Sequence, residues 1–172
     1  RINPTTQGTL FTSQIGVTDN SLMKSGTGTA TLTGNNSYDS TTTVMEGTLV
    51  AASDTALGET AAGTTVSDGA TLALDNTAQG SDLTIDENIT LGAGTGGGAS
   101  IRNDAGNNTI TSYINTDQVS LSKITLDSAA VTLTIDGDID LQLSGLAVTG
   151  AGDTVINGVI GSSIPGSIVD PT

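Results

Sequence analysis

The chain has 172 residues, with 18 acids against four bases and no cysteine or histidine. A net charge of −14 repels nucleic-acid phosphates and anionic lipid headgroups, and no apolar run approaches the roughly 20 residues that span a bilayer. Without histidine or cysteine there are no Ser-His or Cys-His nucleophile pairs, no thiolate metal sites and no disulfides.

In chain order, the segment Arg1-Ile-Asn-Pro-Thr-Thr-Gln-Gly8 and its continuation to residue 21 read as a flank with a first strand, 22–161 as one repetitive body, and 162–172 as a second flank or linker. The opening at Arg1, with no Met and no signal-type segment, is expected of a processed product or a piece of a longer protein. Period-two alternation marks strands at Thr29–Thr33, Thr71–Leu74, Leu83–Ile85, Ile89–Leu91, Thr109–Thr111, Val119–Leu121 and Ile124–Leu126. Val131–Leu141 is the most regular run: Val131, Leu133, Ile135, Ile139 and Leu141 share one face, and Asp136, Asp138 and Asp140 share the other. Glycine and asparagine punctuate the gaps, and only Ala51–Leu57, closed by Gly58, has helical character, as a loop excursion.

Self-comparison organises these strands. Thr42-Thr-Val-Met-Glu-Gly-Thr-Leu49 returns as Thr64-Thr-Val-Ser-Asp-Gly-Ala-Thr-Leu72 with one alanine inserted, Gly34-Asn-Asn-Ser37 returns as Gly106-Asn-Asn-Thr109, and Thr109–Ser112 returns more loosely as Thr154–Asn157. A spacing near 22 residues, with short strands and glycine turns, is the size of one β-solenoid coil. Such a coil cannot bury its inward residues alone, but stacked copies set like on like at ~4.8 Å. One Phe, two Tyr and no Trp among abundant small residues suit that narrow section. The predicted fold is all-β, a right-handed parallel β-helix of roughly seven or eight coils.

Leu22-x-Lys24-x-Gly26-x-Gly28-x-x-x-Leu32-x-Gly34-x-Asn36-x-Tyr38, followed by Thr43-Val44-x-x-Gly47-x-Leu49, resembles the autotransporter-associated β-strand repeat of type V secretion passengers. Asp39-Ser-Thr41 stands where that family usually has a glycine pair. The resemblance implies a structural β-helix at the surface of a Gram-negative-type bacterium or released from it, and it carries over no catalytic residue.

The chemistry-bearing candidates are few. Lys24 and Lys123 are the available lysine bases, and a lone lysine in a strand is expected to be solvated. Asp136, Asp138 and Asp140, about 7 Å apart along a strand, approach the spacing of a glycosidase acid pair, but only Phe11, Tyr38 and Tyr113 could form sugar platforms. The same three aspartates are candidate ligands for a low-affinity calcium site, the one cofactor considered; otherwise they serve to keep an outer face wet. Gly92–Gly98 lacks the Lys-Ser/Thr ending of a phosphate loop and reads as a turn, and the Asn-x-Ser/Thr triplets at Asn35, Asn88 and Asn107 read as turn asparagines. The expected function is a non-catalytic passenger stalk, or else an extracellular filament subunit that self-associates end to end. Other surface or matrix proteins or glycans are the remaining expected partners.

Overall fold

A computed structural model describes residues 9–11, 21–92, 97–117 and 123–163, and for residues 9–11, 123 and 124 only the backbone. The expected strand at Val119–Leu121, residues 93–96 of the glycine run and most of both flanks lie outside the described residues. Among the described residues every regular element is a strand, and no helix is long and apolar enough to cross a membrane.

The strands fall into seven layers, about six turns of chain. β1 (Thr9–Phe11) and β2 (Leu22–Lys24) form the first layer, β3 (Thr29–Leu32) and β4 (Thr42–Val44) the second, β5 (Thr48–Ala51) and β6 (Thr64–Val66) the third. Later layers have three strands each: β7 (Thr71–Asp75), β8 (Thr84–Ile85) and β9 (Ile89–Leu91); β10 (Ser100–Ala105), β11 (Asn108–Ile110) and β12 (Ile114–Thr116). The last two layers comprise β13 (Lys123–Ser128), β14 (Thr132–Ile135) and β15 (Ile139–Asp140), then β16 (Gly145–Gly150), β17 (Asp153–Ile156) and β18 (Ile160–Gly161). Layer on layer they make two seven-stranded sheets and one four-stranded sheet, all parallel.

The register shows why the sequence stacks this way. Along the first sheet Ala30, Leu49, Leu72, Ile101, Leu126 and Val148 are successive partners, so the coil length varies from 19 to 29 residues. Val44 pairs with Val66 and Leu49 with Leu72, and the inserted Ala70 is absorbed in a turn through its N–H to Ser67 O. The Thr109/Thr154 echo is one residue out of place: Ile110 aligns through Ile135 with Ile156, not with Val155. A one-residue slip would exchange the faces of β17, and the register that keeps isoleucine over isoleucine wins.

The core is the set of these columns. Leu49, Leu72, Ile101 and Leu126 on one side, Ile85, Ile110 and Ile135 on the second, and Ile89, Ile114 and Ile139 on the third are all buried. Each contributes roughly 1.5–3 kcal/mol of burial. Ala51–Leu57 is not an excursion. Ala52, Ser53, Ala56 and Leu57 are buried, and turns closed by Ala56 N–H on Ser53 O and Gly58 N–H on Thr55 O form the third layer's second side, where later layers carry a strand. The Val131–Leu141 run is likewise not one strand: it turns a corner at Asp136-Gly137-Asp138, ending β14 and starting β15.

Candidate functional site

Residues 22–51 and their neighbours in the next layer fill the section where the second sheet is missing. Lys24 stands in register with Val44, Val66 and Leu91, so its side chain enters a core column. It is 0% exposed, contrary to the expectation of a solvated lysine, and its Nζ donates to Gly26 O at 2.7 Å and Glu46 O at 2.5 Å. A lysine suits this corner because its stem is apolar and its ammonium satisfies two turn carbonyls that the strand ladder leaves free. Burial lowers its pKa, and the charge of Glu46 opposes that shift. Gly47 completes the corner at φ +66°, where a Cβ would run into the Gly26 and Gly28 carbonyls.

Asn36 and Tyr38 take the place of a strand. Buried Asn36 donates from Nδ2 to Ala56 O at 2.6 Å. The Thr42 hydroxyl donates to Leu57 O at 3.0 Å, so at 2.6 Å from Tyr38 Oη it acts as acceptor and the phenol as donor. Burial pushes the Tyr38 pKa well above its ordinary value, the Thr42 bond only partly opposing it, which keeps the donor neutral. The ring packs against Gly58, where an added Cβ would lie 2.6 Å from Tyr38 Cε2.

One layer further on, Thr64 donates from Oγ1 to Glu87 Oε1 at 2.7 Å, with Glu87 only 4% exposed. Burial raises this carboxyl to about 7 despite the Thr64 bond. Sequence reasoning passed over Glu87, although the signal was present: Ile85, Glu87 and Ile89 share one parity, so period two places the acid on the inward side.

The outer acids and amides act as rungs between layers. Asp82 Oδ1 accepts Asn107 N–H at 2.9 Å, Asn107 Oδ1 accepts Thr132 N–H at 3.1 Å, Asn88 Oδ1 accepts Tyr113 N–H at 3.3 Å, and Asp68 Oδ1 accepts Gly98 N–H at 2.7 Å. At corners, where strand pairing lapses, a side-chain oxygen of one layer receives the backbone of the next. Asn88 and Asn107 thus have the turn role expected of them.

The three candidate aspartates are separated by their corner. Exposed Asp136 accepts Asn157 Nδ2 at 2.7 Å, and exposed Asp138 accepts Val159 N–H at 2.8 Å. Asp140 is buried rather than wet: Oδ1 accepts Gln142 and Ser163 N–H, and Oδ2 accepts Tyr113 Oη at 2.9 Å and Gln142 Nε2 at 2.7 Å. Burial alone would raise its pKa, but the bonds from Ser163, Gln142 and Tyr113 outweigh it and hold the carboxyl below its ordinary value. Asp138 and Asp140 line one groove of about 250 Å³ with Tyr113, and Asp136 does not. Among the described residues no three acidic side chains converge to hold a metal ion. Arg102 is engaged with Asp104 at 2.5 Å, and the Lys123 side chain lies outside the described residues.

Residues 22–51 match the family model of the passenger-associated transport repeat. This is the segment that holds Lys24, Asn36, Tyr38 and Gly47, and with the β-solenoid built on it the match fits an autotransporter passenger repeat. No curated protein and no solved structure gives a match to the chain.

Proposed function

We propose that this chain is a rigid, non-catalytic stalk segment of a secreted or surface-exposed bacterial passenger, holding adhesive or other modules away from a Gram-negative-type cell. One observation carries the reading: the transport repeat at 22–51 supplies the internal fittings of a solenoid whose further layers stack on it strand over parallel strand. The polar groups there serve backbone carbonyls of the chain itself, a structural occupation. Antibody labelling of intact producing cells should detect the chain, and the purified chain should leave panels of polysaccharides and peptides unchanged. An intracellular location, or turnover of any panel member, would overturn the reading.

A second reading, a subunit of an extracellular filament or biofilm-matrix fibre, draws on the unequal ends of the rod. In the last layer Val148 and Ile160, inward by register, are 52% and 47% exposed, whereas Leu22 of the first layer is buried. An apolar layer whose strands have no partner on their outer side among the described residues favours association with a like surface. Sedimentation velocity across a hundredfold concentration range distinguishes the two: a monomer throughout supports the stalk, and growing assemblies support the filament.

A further inference from the structure

A groove beside β15 and β18 lies outside the transport repeat. It is lined by Tyr113, Asp138, Asp140, Val159, Gly161 and Ser163 and lies on the outside of the third sheet. Three features of the sequence create it. Tyr113 precedes β12 in register below Asp138 and is 39% exposed, whereas Tyr38 is buried. Its hydroxyl is tied to Asp140, itself held by Gln142 and Ser163, so the ring is fixed at its far end. Above Asp140 in register stands Gly161, where the layers below carry Thr90, Asn115 and Asp140. A Cβ added at Gly161 would meet nothing within 4 Å. The missing side chain leaves the space open.

The lining combines a fixed aromatic ring and an aliphatic Val159 with carboxylate and hydroxyl groups at the edge. A pyranose has the complementary surface: a C–H face for the ring, and hydroxyls that donate to the exposed Asp138 carboxylate. At about 250 Å³ the groove falls below the range of drug-sized pockets and suits one such ring. Uronates and other acidic sugars are disfavoured by the two carboxylates and the net charge of −14. We infer that this groove binds one uncharged pyranose unit of a glycan, with Tyr113 as the platform and Asp138 as a hydroxyl acceptor. The inference does not rest on the stalk reading and would stand for a filament as well.

The test is titration of the purified chain with the methyl glycosides of glucose, galactose, mannose and N-acetylglucosamine, followed by saturation-transfer NMR on the protons of the glycoside itself. Methyl glucuronide and a small primary amine are the charged controls. At least one neutral glycoside should bind saturably in the millimolar range. Tyr113→Ala and Gly161→Leu should each abolish the response, and Asp138→Asn should weaken it severalfold. Gly161→Leu fills the groove while keeping the ring and the acids in the chain, and its unchanged melting temperature would show that the fold is intact. The inference is overturned if no neutral glycoside saturates, if binding survives Gly161→Leu, or if the amine or the glucuronide binds more tightly than every neutral sugar.

Discussion

Single residues decide whether a coil this thin can close, because the inward side chains of all its sides share one core. Glu87 makes the point through pH. Its folded pKa of about 7 lies above its ordinary carboxyl value, so between those two values the folded chain binds more protons than the unfolded one. That stability is fully present below the unfolded pKa and is lost as pH rises through about 7, by an amount on the order of 3 kcal/mol. Asp140 works in the opposite sense. Its depressed pKa gives stability that is present above the unfolded value and lost as pH falls through the folded one. Urea unfolding followed from pH 3 to 9 should therefore show falling stability on the neutral side. Glu87→Gln should flatten that limb, and Asp140→Asn should flatten the acid limb. A neutral limb identical in Glu87→Gln and the parent chain would remove Glu87 as its source. Gly58→Ala probes the same crowding without charge: the positive φ and the Tyr38 ring together should cost at least about 2 kcal/mol, read as a lower urea midpoint.

Strands and corners obey different rules, and the corners are where the acids and amides act. Within a strand each backbone group is paired by the layer above or below. At a corner the pairing lapses, and Asp82, Asn88, Asn107 and Asp138 supply the missing acceptors. Asn107→Ala should leave the Thr132 N–H without its 3.1 Å partner. The expected cost is about 1 kcal/mol, seen as roughly fivefold faster exchange of that one amide. Unchanged exchange at Thr132 would mean that solvent already serves it. The strands themselves were legible in the sequence, since alternation of Thr with Val, Ile or Leu needs only the pleat to interpret it, and the Val44/Val66 repeat gave the stacking register directly. The corners were not, because a period of two carries through a bend. Val131–Leu141 keeps its alternation across Gly137 although β14 and β15 belong to different sheets. The inward lysine was hidden for a similar reason: parity put Lys24 with Val44, but charge argued for solvent, and only the two turn carbonyls resolve the conflict. The groove was half legible. Asp138 and Asp140 were singled out as acids, but Tyr113 joins them from the layer below, 27 residues before Asp140, and no local pattern carries that distance.

A stack of layers has no single stability, since each layer is held only by its neighbours. In such a one-dimensional array the interior layers are supported on both sides and a terminal layer on one, so opening should begin at an end. The two ends here are unequal. Among the described residues β16, β17 and β18 pair only downward, with β13, β14 and β15, and Leu146 and Ile156 are only partly buried against the core. Among the described residues Thr154 Oγ1 is buried in this layer with no hydrogen-bond partner. Amide exchange at low protein concentration should therefore run at least about tenfold faster in β16–β18 than in β7–β12, corresponding to a difference above ~1.4 kcal/mol in local opening. Concentration then separates the two functional readings. If the chain works alone as a stalk segment, the β16–β18 rates stay fixed from micromolar to millimolar protein. If copies meet through the open end, those strands and no others become protected as concentration rises, because pairing restores the neighbour they lack. Val148→Asp sharpens the comparison, since a charge on that half-exposed column should prevent any such protection while leaving β7–β12 as slow as before. Equal exchange in all layers at low concentration would show that the rod opens as one unit and that its exposed end is not a weak point.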